Sequence, residues 1–378
     1  MTPQRTLLAA AAALVLATTA SAEISIGVSM PLTGPGSGAG IPMNNMIKLW
    51  PKEIGGETLK VTMYDDATDP TKGTQNVRRL ITEGKIDLLV SSVATPVAVA
   101  IVDVTNESET PTLAGSPIDL PPGKDAWTFR LPQSSAVMAQ PIMKHMLKHG
   151  IKTVGFLGYA DAYGEVWLKD FTALAEKNGI KLIATERFAR SDTSVAAQAL
   201  KITSARPDAI LIVASGSGAA MPHKGIVERG FKGKIYQTHA AASPDLIRLG
   251  GKDVEGALVA SGPAVVPELL PASNASKAAA TDYVGKFEKA YGPNTRSIFA
   301  ANMYDAQTVL EKVIPVALKK AKPGTKEFRH ALKDAIENMG PTVFAQGVMH
   351  WTKDNHWGYT PDSGILLKVA NGAWTYEE

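Results

Sequence analysis

The sequence predicts an α/β fold made of two lobes, each with a largely parallel sheet. Short runs rich in Val, Ile and Leu alternate with segments of helical periodicity, as in ISIGVSM, LKVTMYD and IDLLVSS. This alternation is typical of βαβ units with helices on both faces of a sheet. A second series of such units begins after Gly150 with TVGFLGY. The length of 378 residues, roughly twice that of a usual domain, also favours two lobes.

The first 22 residues have the order of features found in a secretory signal. Arg5 precedes an apolar stretch from Leu7 to Ala17, and small residues stand at Ala20 and Ala22. We therefore predict a signal peptide over residues 1–22, cleaved near Ala22, and a mature protein in the periplasm. No later run approaches the roughly 20 apolar residues of a membrane helix. The chain contains no cysteine, so we expect neither a lipid anchor nor a disulfide.

The ends of several helices carry clear signals. Asp69 before Pro70 predicts the start of a helix that continues to Glu83, and Gly150 predicts the end of a helix that begins near Gln133. After Gly262 the chain is rich in proline, and two long helices follow, around residues 278–291 and 300–320. The tail carries a hairpin signal at residues 371–372, Asn-Gly.

We expect the two long helices to return to the first lobe and the tail to cross again, which makes a hinge of three crossings. The predicted first lobe comprises residues 23–140 and 263–347. The predicted second lobe comprises residues 141–262 and 348–378. The dense group His350, Trp351, His356 and Trp357 falls at the last crossing, where we expect it to pack the hinge.

The charge pattern argues against a nucleic-acid partner. The net charge is +3, and the 39 basic residues are scattered among 36 acidic ones. Binding nucleic acid needs a basic face that neutralises several phosphates. We therefore expect no nucleic-acid partner.

No motif predicts catalysis, a metal or a cofactor. His145 and His149 have the spacing of a zinc pair, but no glutamate follows the first histidine and the flanking lysines indicate a solvated face. Asp65, Asp66 and Asp69 lack the spacing of a calcium loop. The segment GPGSGAG lacks the lysine and Ser/Thr of a nucleotide-binding loop, and no nucleophile elbow is present. We expect a protein that is not an enzyme.

Six segments in order resemble the leucine/isoleucine/valine-binding family of type I periplasmic receptors: IGVSMPLTGPGSGAG, MYDDATDP, VSSVATP, ETPTLAGSP, FLGYADAYGE and NMYDAQTVLEKVI. The resemblance covers essentially the whole mature chain. It implies two Rossmann-like lobes with the ligand in a cleft at the carboxyl ends of the strands. It also implies a monomeric receptor that delivers a small ligand to the permease and ATPase subunits of an ABC importer.

In the first lobe, the segment VSSVATP places a strand end before a helix start. We expect Thr95 to be the N-cap with Pro96 at the first helical position, so that free N–H groups near Ala94 and Thr95 point at the cleft. Such groups suit a carboxylate, and by similarity Thr95 matches a family serine that holds the ligand's carboxylate. Gly115 and Ser116 match the loop after the next strand. The alternatives are that Thr95 only caps its helix and that Ser116 only shapes a turn, without a contact to the ligand.

In the second lobe, Tyr163 matches a family tyrosine that faces the ligand, with simple packing at a helix start as the alternative. Ser217 lies in SGSG, where relatives place bulkier residues. His239 stands where the amino-acid receptors place an acidic partner for the ligand's ammonium group, which a histidine cannot replace.

The first lobe departs from the amino-acid receptors as well. Gly38, Ala39 and Gly40 stand where relatives often carry a glutamine and an aromatic residue, and Ile118 replaces a threonine. We interpret the small residues as space for a wider apolar ligand. The favoured ligand is an aromatic carboxylate, and a branched-chain amino acid receptor or a ligand sensor for a signalling partner remain alternatives.

Overall fold

A computed structural model of the protein describes residues 23–377, so the predicted signal peptide lies outside the described residues. The first sheet has the strand order β2-β3-β1-β4-β5-β6, parallel except for β2 against β3. Its strands are β1 (Ile24–Met30), β2 (Glu53–Ile54), β3 (Glu57–Asp65), β4 (Leu88–Ser91), β5 (Thr112–Ala114) and β6 (Thr128–Arg130). The helices between them are α1 (Ser37–Ile47), α2 (Pro70–Thr82), α3 (Thr95–Ala100) and α4 (Val102–Glu107).

The second sheet has its own set of strands. These are β7 (Thr153–Tyr159), β8 (Lys181–Phe188), β9 (Ala209–Val213), β10 (Lys234–Gln237), β11 (Leu258–Ser261), β14 (Ile365–Ala370) and β15 (Ala373–Glu377). Their order is β15-β14-β11-β10-β9-β7-β8, and only β14 runs antiparallel to its neighbours β11 and β15. The helices here are α5 (Ser135–Lys148), α6 (Ala162–Lys177), α7 (Ala196–Ser204), α8 (Ala220–Glu228) and α9 (Pro244–Gly250).

The remaining α-helices and strands lie between β11 and β14 in the chain. They are α10 (Lys277–Tyr291), α11 (Ile298–Leu318), α12 (Lys326–Glu337) and a two-stranded ribbon of β12 (Thr342–Phe344) and β13 (Gly347–Met349). Helix α11 packs on α1 and α12, so this segment returns to the first sheet. Short 3₁₀ helices occupy residues 216–219, 239–241, 251–254, 263–265, 267–269 and 361–363.

The predicted α/β class with two mainly parallel sheets is confirmed. Central strands are buried along their whole length, as β1 and β9 show, because helices cover both faces of each sheet. Within residues 23–377, no helix combines the length and the apolar character needed to cross a membrane.

The predicted local signals agree with the structure in detail. The Asp69 side chain accepts a hydrogen bond from the Lys72 backbone N–H at 2.7 Å and caps α2. Asn371 and Gly372 both have positive φ, 53° and 69°, in the tight turn between β14 and β15. Type I′ hairpin turns require this conformation, which explains the Asn-Gly pair.

The predicted lobe boundary after residue 140 falls inside α5. This helix packs on α6 and β11 of the second sheet, and its N-cap Ser134 accepts from the Val137 N–H at 3.2 Å. A continuous helix moves as one rod, so it does not divide between two lobes. We propose the first crossing at residues 131–134, the second after β11 and the third after β13.

The aromatic group at the third crossing divides into buried and exposed members. Trp351 and His356 are buried, and both rings contact Phe129 of β6, at centroid distances of 5.6 and 4.1 Å. His350 is exposed. The buried pair therefore attaches the third crossing to the edge of the first sheet.

Candidate functional site

A small cavity lies between the two sheets, at the carboxyl ends of their strands. Its lining comes from loops of the first sheet, loops of the second sheet and the first turns of α11: Val93, Gly115, Pro117, Pro132, Tyr163, Arg190, Ser215, His239, Ala240, Ile298, Phe299 and Asn302. Open α/β sheets bind ligands at this end because loops and helix N-termini converge there. The cavity is thus the candidate ligand site.

The cavity has a volume of about 20 Å³, enough for about one water molecule. An aromatic acid does not fit into this space as it stands. Ligand binding therefore requires the lining side chains, or the two lobes, to move apart and close again.

Tyr163 and His239 form one wall of the cavity. Tyr163 follows the N-cap Asp161 of α6, and its hydroxyl lies 2.8 Å from the Thr238 hydroxyl oxygen. His239 is buried, and its Nδ1 makes no hydrogen bond with any described residue. Burial lowers the pKa of His239 to about 4, so the imidazole is neutral at pH 7.

Arg190 provides a positive charge at the cavity. Its Nε donates to Asp161 Oδ2 at 2.5 Å, and one terminal nitrogen donates to Ser215 Oγ at 3.0 Å. The guanidinium carbon stands 4.1 Å from the centre of the Tyr159 ring, within cation–π range. The side chain is 13% exposed, so these contacts hold a mostly buried cation in place.

The first-lobe wall differs from the prediction at the start of α3. The N-cap is Ala94 and not Thr95, because the Ala94 carbonyl accepts from the Val97 and Ala98 N–H groups, both at 3.0 Å. Thr95 is the first helical residue and is buried. Its predicted role as a cap is therefore wrong. Neither Ala94 nor Thr95 lines the cavity, although Val93 before them does. The predicted free N–H of Ala94 is also wrong, because this group donates to Ser92 Oγ at 3.2 Å.

Gly115 lines the cavity, and Ser116 follows it in the loop after β5. Ser116 is fully buried, and its hydroxyl has no hydrogen-bond partner among the described residues. A buried unpaired hydroxyl costs free energy, and a ligand oxygen would satisfy it. A Cβ on Gly115 would lie 2.7 Å from the Ser91 carbonyl oxygen, so this position requires glycine.

Gly38 and Ser217 contact each other instead of lining the cavity. A Cβ on Gly38 would lie 3.1 Å from Ser217 Oγ, and one on Gly216 would lie 3.5 Å from the Gly38 carbonyl carbon. The interpretation that these small residues widen the ligand site is thus corrected. They let α1 of the first lobe approach the 216–219 turn of the second, so the space is filled by protein.

Sequence reasoning missed Arg190 and the α11 residues Phe299 and Asn302. Arg190 comes two residues after the end of β8, and a polar residue directly after a parallel strand is the signal that could have identified it. The α11 residues stand in the first turns of a 21-residue helix whose N-cap Ser297 accepts from the Ala300 N–H at 3.2 Å. The positive end of this helix dipole therefore lies beside the cavity.

Comparison with known proteins gives a consistent result. The family described as periplasmic binding protein matches residues 23–361. An extracellular ligand-binding receptor from Rhodopseudomonas palustris HaA2 is 45% identical, with a TM-score of 0.92, and the alignment covers 94% of this chain and 100% of that one. These relatives are solute-binding receptors and not enzymes.

More distant relatives include two with a ligand in their description. The Leu/Ile/Val-binding protein homolog 3 of Brucella melitensis biotype 1 is 25% identical over 263 residues, which is 66% of this chain and 70% of that protein. A solute-binding protein of an ABC transporter from R. palustris, solved in complex with benzoate, is 19% identical. Its TM-score is 0.79, with 94% of this chain and 95% of that chain covered, so it shows a shared fold.

Proposed function

Because the chain belongs to the periplasmic binding protein family, we propose that it is a receptor that closes its two lobes around a small aromatic carboxylate. In this role it works in the periplasm, after cleavage of residues 1–22, and delivers the ligand to the permease and ATPase subunits of an ABC importer.

The charge of the cavity lining carries the proposal. Arg190 is a cation, and none of the described residues that line the cavity is acidic. The acidic group bonded to Arg190, Asp161, also accepts from the N–H groups of Tyr163 and Gly164 and caps α6. A buried ammonium without a counter-charge costs several kcal/mol, about 3–5 when a buried pair is broken. The lining therefore favours an anion over an amino acid.

Two further features favour a carboxylate. An arginine has five N–H donors, so the contacts with Asp161 and Ser215 leave donors for a ligand oxygen. The N-terminus of α11 also faces the cavity and stabilises negative charge. In the first lobe, the unpartnered hydroxyl of Ser116, directly after the lining residue Gly115, offers a further donor.

The apolar part of the lining suits a ring. Six apolar residues surround the polar groups: Val93, Pro117, Pro132, Ala240, Ile298 and Phe299. Neutral His239 can hydrogen-bond a ring substituent without adding charge. The benzoate complex of the R. palustris protein shows that one receptor of this fold takes an aromatic acid, which supports this class of ligand.

A branched-chain amino acid is the second candidate ligand. The name of the Brucella relative favours it. It requires a partner for the ligand's ammonium group, and His239, buried and neutral, is not an anion.

Titration calorimetry tests the proposal, with protein that has been unfolded to release any bound ligand and then refolded. The panel contains benzoate-like and cinnamate-like acids, benzamide as a neutral analogue of benzoate, and the three branched-chain amino acids. We expect at least one aromatic acid to bind, and benzamide to bind more weakly by about 10- to 150-fold, since it lacks the charge that strengthens the hydrogen bonds.

Micromolar binding of leucine, with no response to any aromatic acid, would restore the amino-acid candidate. Mass spectrometry of small molecules released from the denatured protein gives an independent identification of the ligand.

A further inference from the structure

Three side chains of types that bind metals lie together outside the cavity, at the β15 edge of the second sheet. His145 stands in the last turn of α5, His149 is the C-cap of that helix, and Glu377 is the last residue of β15. One ligand atom from each of the three residues lies within 4.8 Å of the other two. None of the three lines the cavity. The two histidines have the spacing of a zinc pair in the sequence, whereas Glu377 lies more than 200 residues later in the chain.

His145 is already oriented as a metal ligand. Its Nδ1 lies 2.8 Å from the Tyr236 hydroxyl oxygen. Its Nε2 is buried, makes no hydrogen bond with residues 23–377 and lies 3.5 Å from Glu377 Oε1. Metal-binding histidines commonly donate the N–H of the second ring nitrogen to such a partner, which leaves the first nitrogen free for the ion. The residue is 3% exposed, so its ring is held by packing.

We propose that His145, His149 and Glu377 bind a divalent transition-metal ion of the Zn²⁺ class. Two imidazole nitrogens and one carboxylate oxygen are a ligand set that zinc uses, with water as the fourth ligand. The ion joins the end of α5 to the last strand and fastens the terminal hairpin to the second lobe.

The geometry needs only a local adjustment. Ligand atoms about 2.0–2.2 Å from a tetrahedral zinc ion lie roughly 3.4 Å apart, against separations of up to 4.8 Å here. His149 is exposed and Glu377 is half-buried, so both side chains can rotate towards the fixed His145. Lys144 and Lys148 line the same surface depression as His145 and Glu377. Their positive charges repel a cation, and the carboxylate of Glu377 offsets part of this repulsion.

The test uses tag-free full-length mature protein from which metal has been removed. Calorimetry measures Zn²⁺ binding, and the visible absorption of bound Co²⁺ reports the coordination geometry. We expect one ion per chain in a tetrahedral site. His149→Ala and Glu377→Gln should each weaken Zn²⁺ binding by more than about 100-fold, beyond the roughly 10- to 100-fold expected for Tyr236→Phe, which changes only the orienting partner.

His350→Ala is the matched control, because His350 is an exposed histidine outside the group. Its affinity for Zn²⁺ should equal that of the unchanged protein. The proposal is overturned if the protein binds no Zn²⁺ at millimolar concentration, or if His149→Ala and His350→Ala bind the ion equally well. Neither readout depends on the ligand of the cavity.

Discussion

Gly38 and Ser217 meet across the two lobes so closely that a Cβ atom on Gly38 would lie 3.1 Å from Ser217 Oγ. The glycine belongs to α1 beside the first sheet, and the serine belongs to the 216–219 turn beside the second. A side chain at residue 38 would therefore have to displace Ser217 and Asp245 for the two elements to keep this approach.

Gly38→Leu should weaken ligand binding without unfolding either lobe. The added side chain must displace Ser217 and Asp245 before the lobes can close, and overpacking of this kind costs about 1–3 kcal/mol. Affinity should thus fall about 5- to 150-fold. Calorimetry measures the loss, and X-ray scattering should show a larger radius of gyration with ligand than in the unchanged protein.

Gly285→Leu is the control for this substitution. Gly285 lies within α10, and an added Cβ there has no atom within 4 Å. This variant should keep the affinity and the radius of the unchanged protein. If Gly38→Leu binds as tightly as Gly285→Leu, the contact with Ser217 does not limit closure.

Ser116→Ala and Thr95→Ala should each reduce affinity for a carboxylate by about 10- to 150-fold. Each removes a hydrogen bond to a charged oxygen, worth about 1.5–3 kcal/mol. Folding should change little for Ser116→Ala, because its hydroxyl has no partner among the described residues. Thr128→Ala removes a buried, unpartnered hydroxyl at the first residue of β6, away from the carboxyl end of that strand, and serves as the control. Unchanged affinity in both variants would remove these residues from the site.

Arg190→Gln should lower affinity for an aromatic acid more than for its neutral amide. The substitution removes the cation of the cavity, and the expected loss is again about 10- to 150-fold for the acid. Arg187→Gln is the matched control, since Arg187 near the end of β8 pairs with Glu165 of α6 and does not line the cavity. Equal losses for the acid and the amide would indicate a packing role for Arg190. Melting curves check that the loss of the Asp161 pair has not unfolded the lobe.

His239 should make the ligand-free protein less stable as pH falls from 6.5 to 4. Burial lowers the pKa of His239 to about 4, against about 6.5 in the unfolded chain, so the unfolded state binds the proton first. The contribution of neutral His239 to the free energy of unfolding is complete above pH 6.5. It is lost progressively towards pH 4, by about 3 kcal/mol at most. Denaturant unfolding at several pH values measures it.

The same experiment needs His239→Asn as its reference, because burial also lowers the pKa of His223 to about 4. The variant keeps the His223 effect and loses only that of His239. Its free energy of unfolding should therefore fall less steeply between pH 6.5 and 4. Identical pH dependence in the two proteins would show that His239 does not titrate in this way.

Local sequence signals predicted the α/β class, the Asp69 cap and the Asn371-Gly372 turn, because each depends on the conformational preferences of a few neighbouring residues. The order of motifs also predicted the receptor family. The Thr95 cap was misplaced by one residue, because the alanine before it accepts the first helical hydrogen bonds. The sequence pattern does not distinguish an N-cap at Ala94 from one at Thr95.

Contacts between residues far apart in the chain became known only from the tertiary structure. The sequence determined two sheets and which loops end their strands, since alternation and strand ends are local properties. Only the folded chain brings Arg190 beside His239, presses Gly38 against Ser217 and places Glu377 beside His145. These contacts depend on how two sheets pack and cross, and residues far apart in sequence carry no local signal of the distance between their side chains.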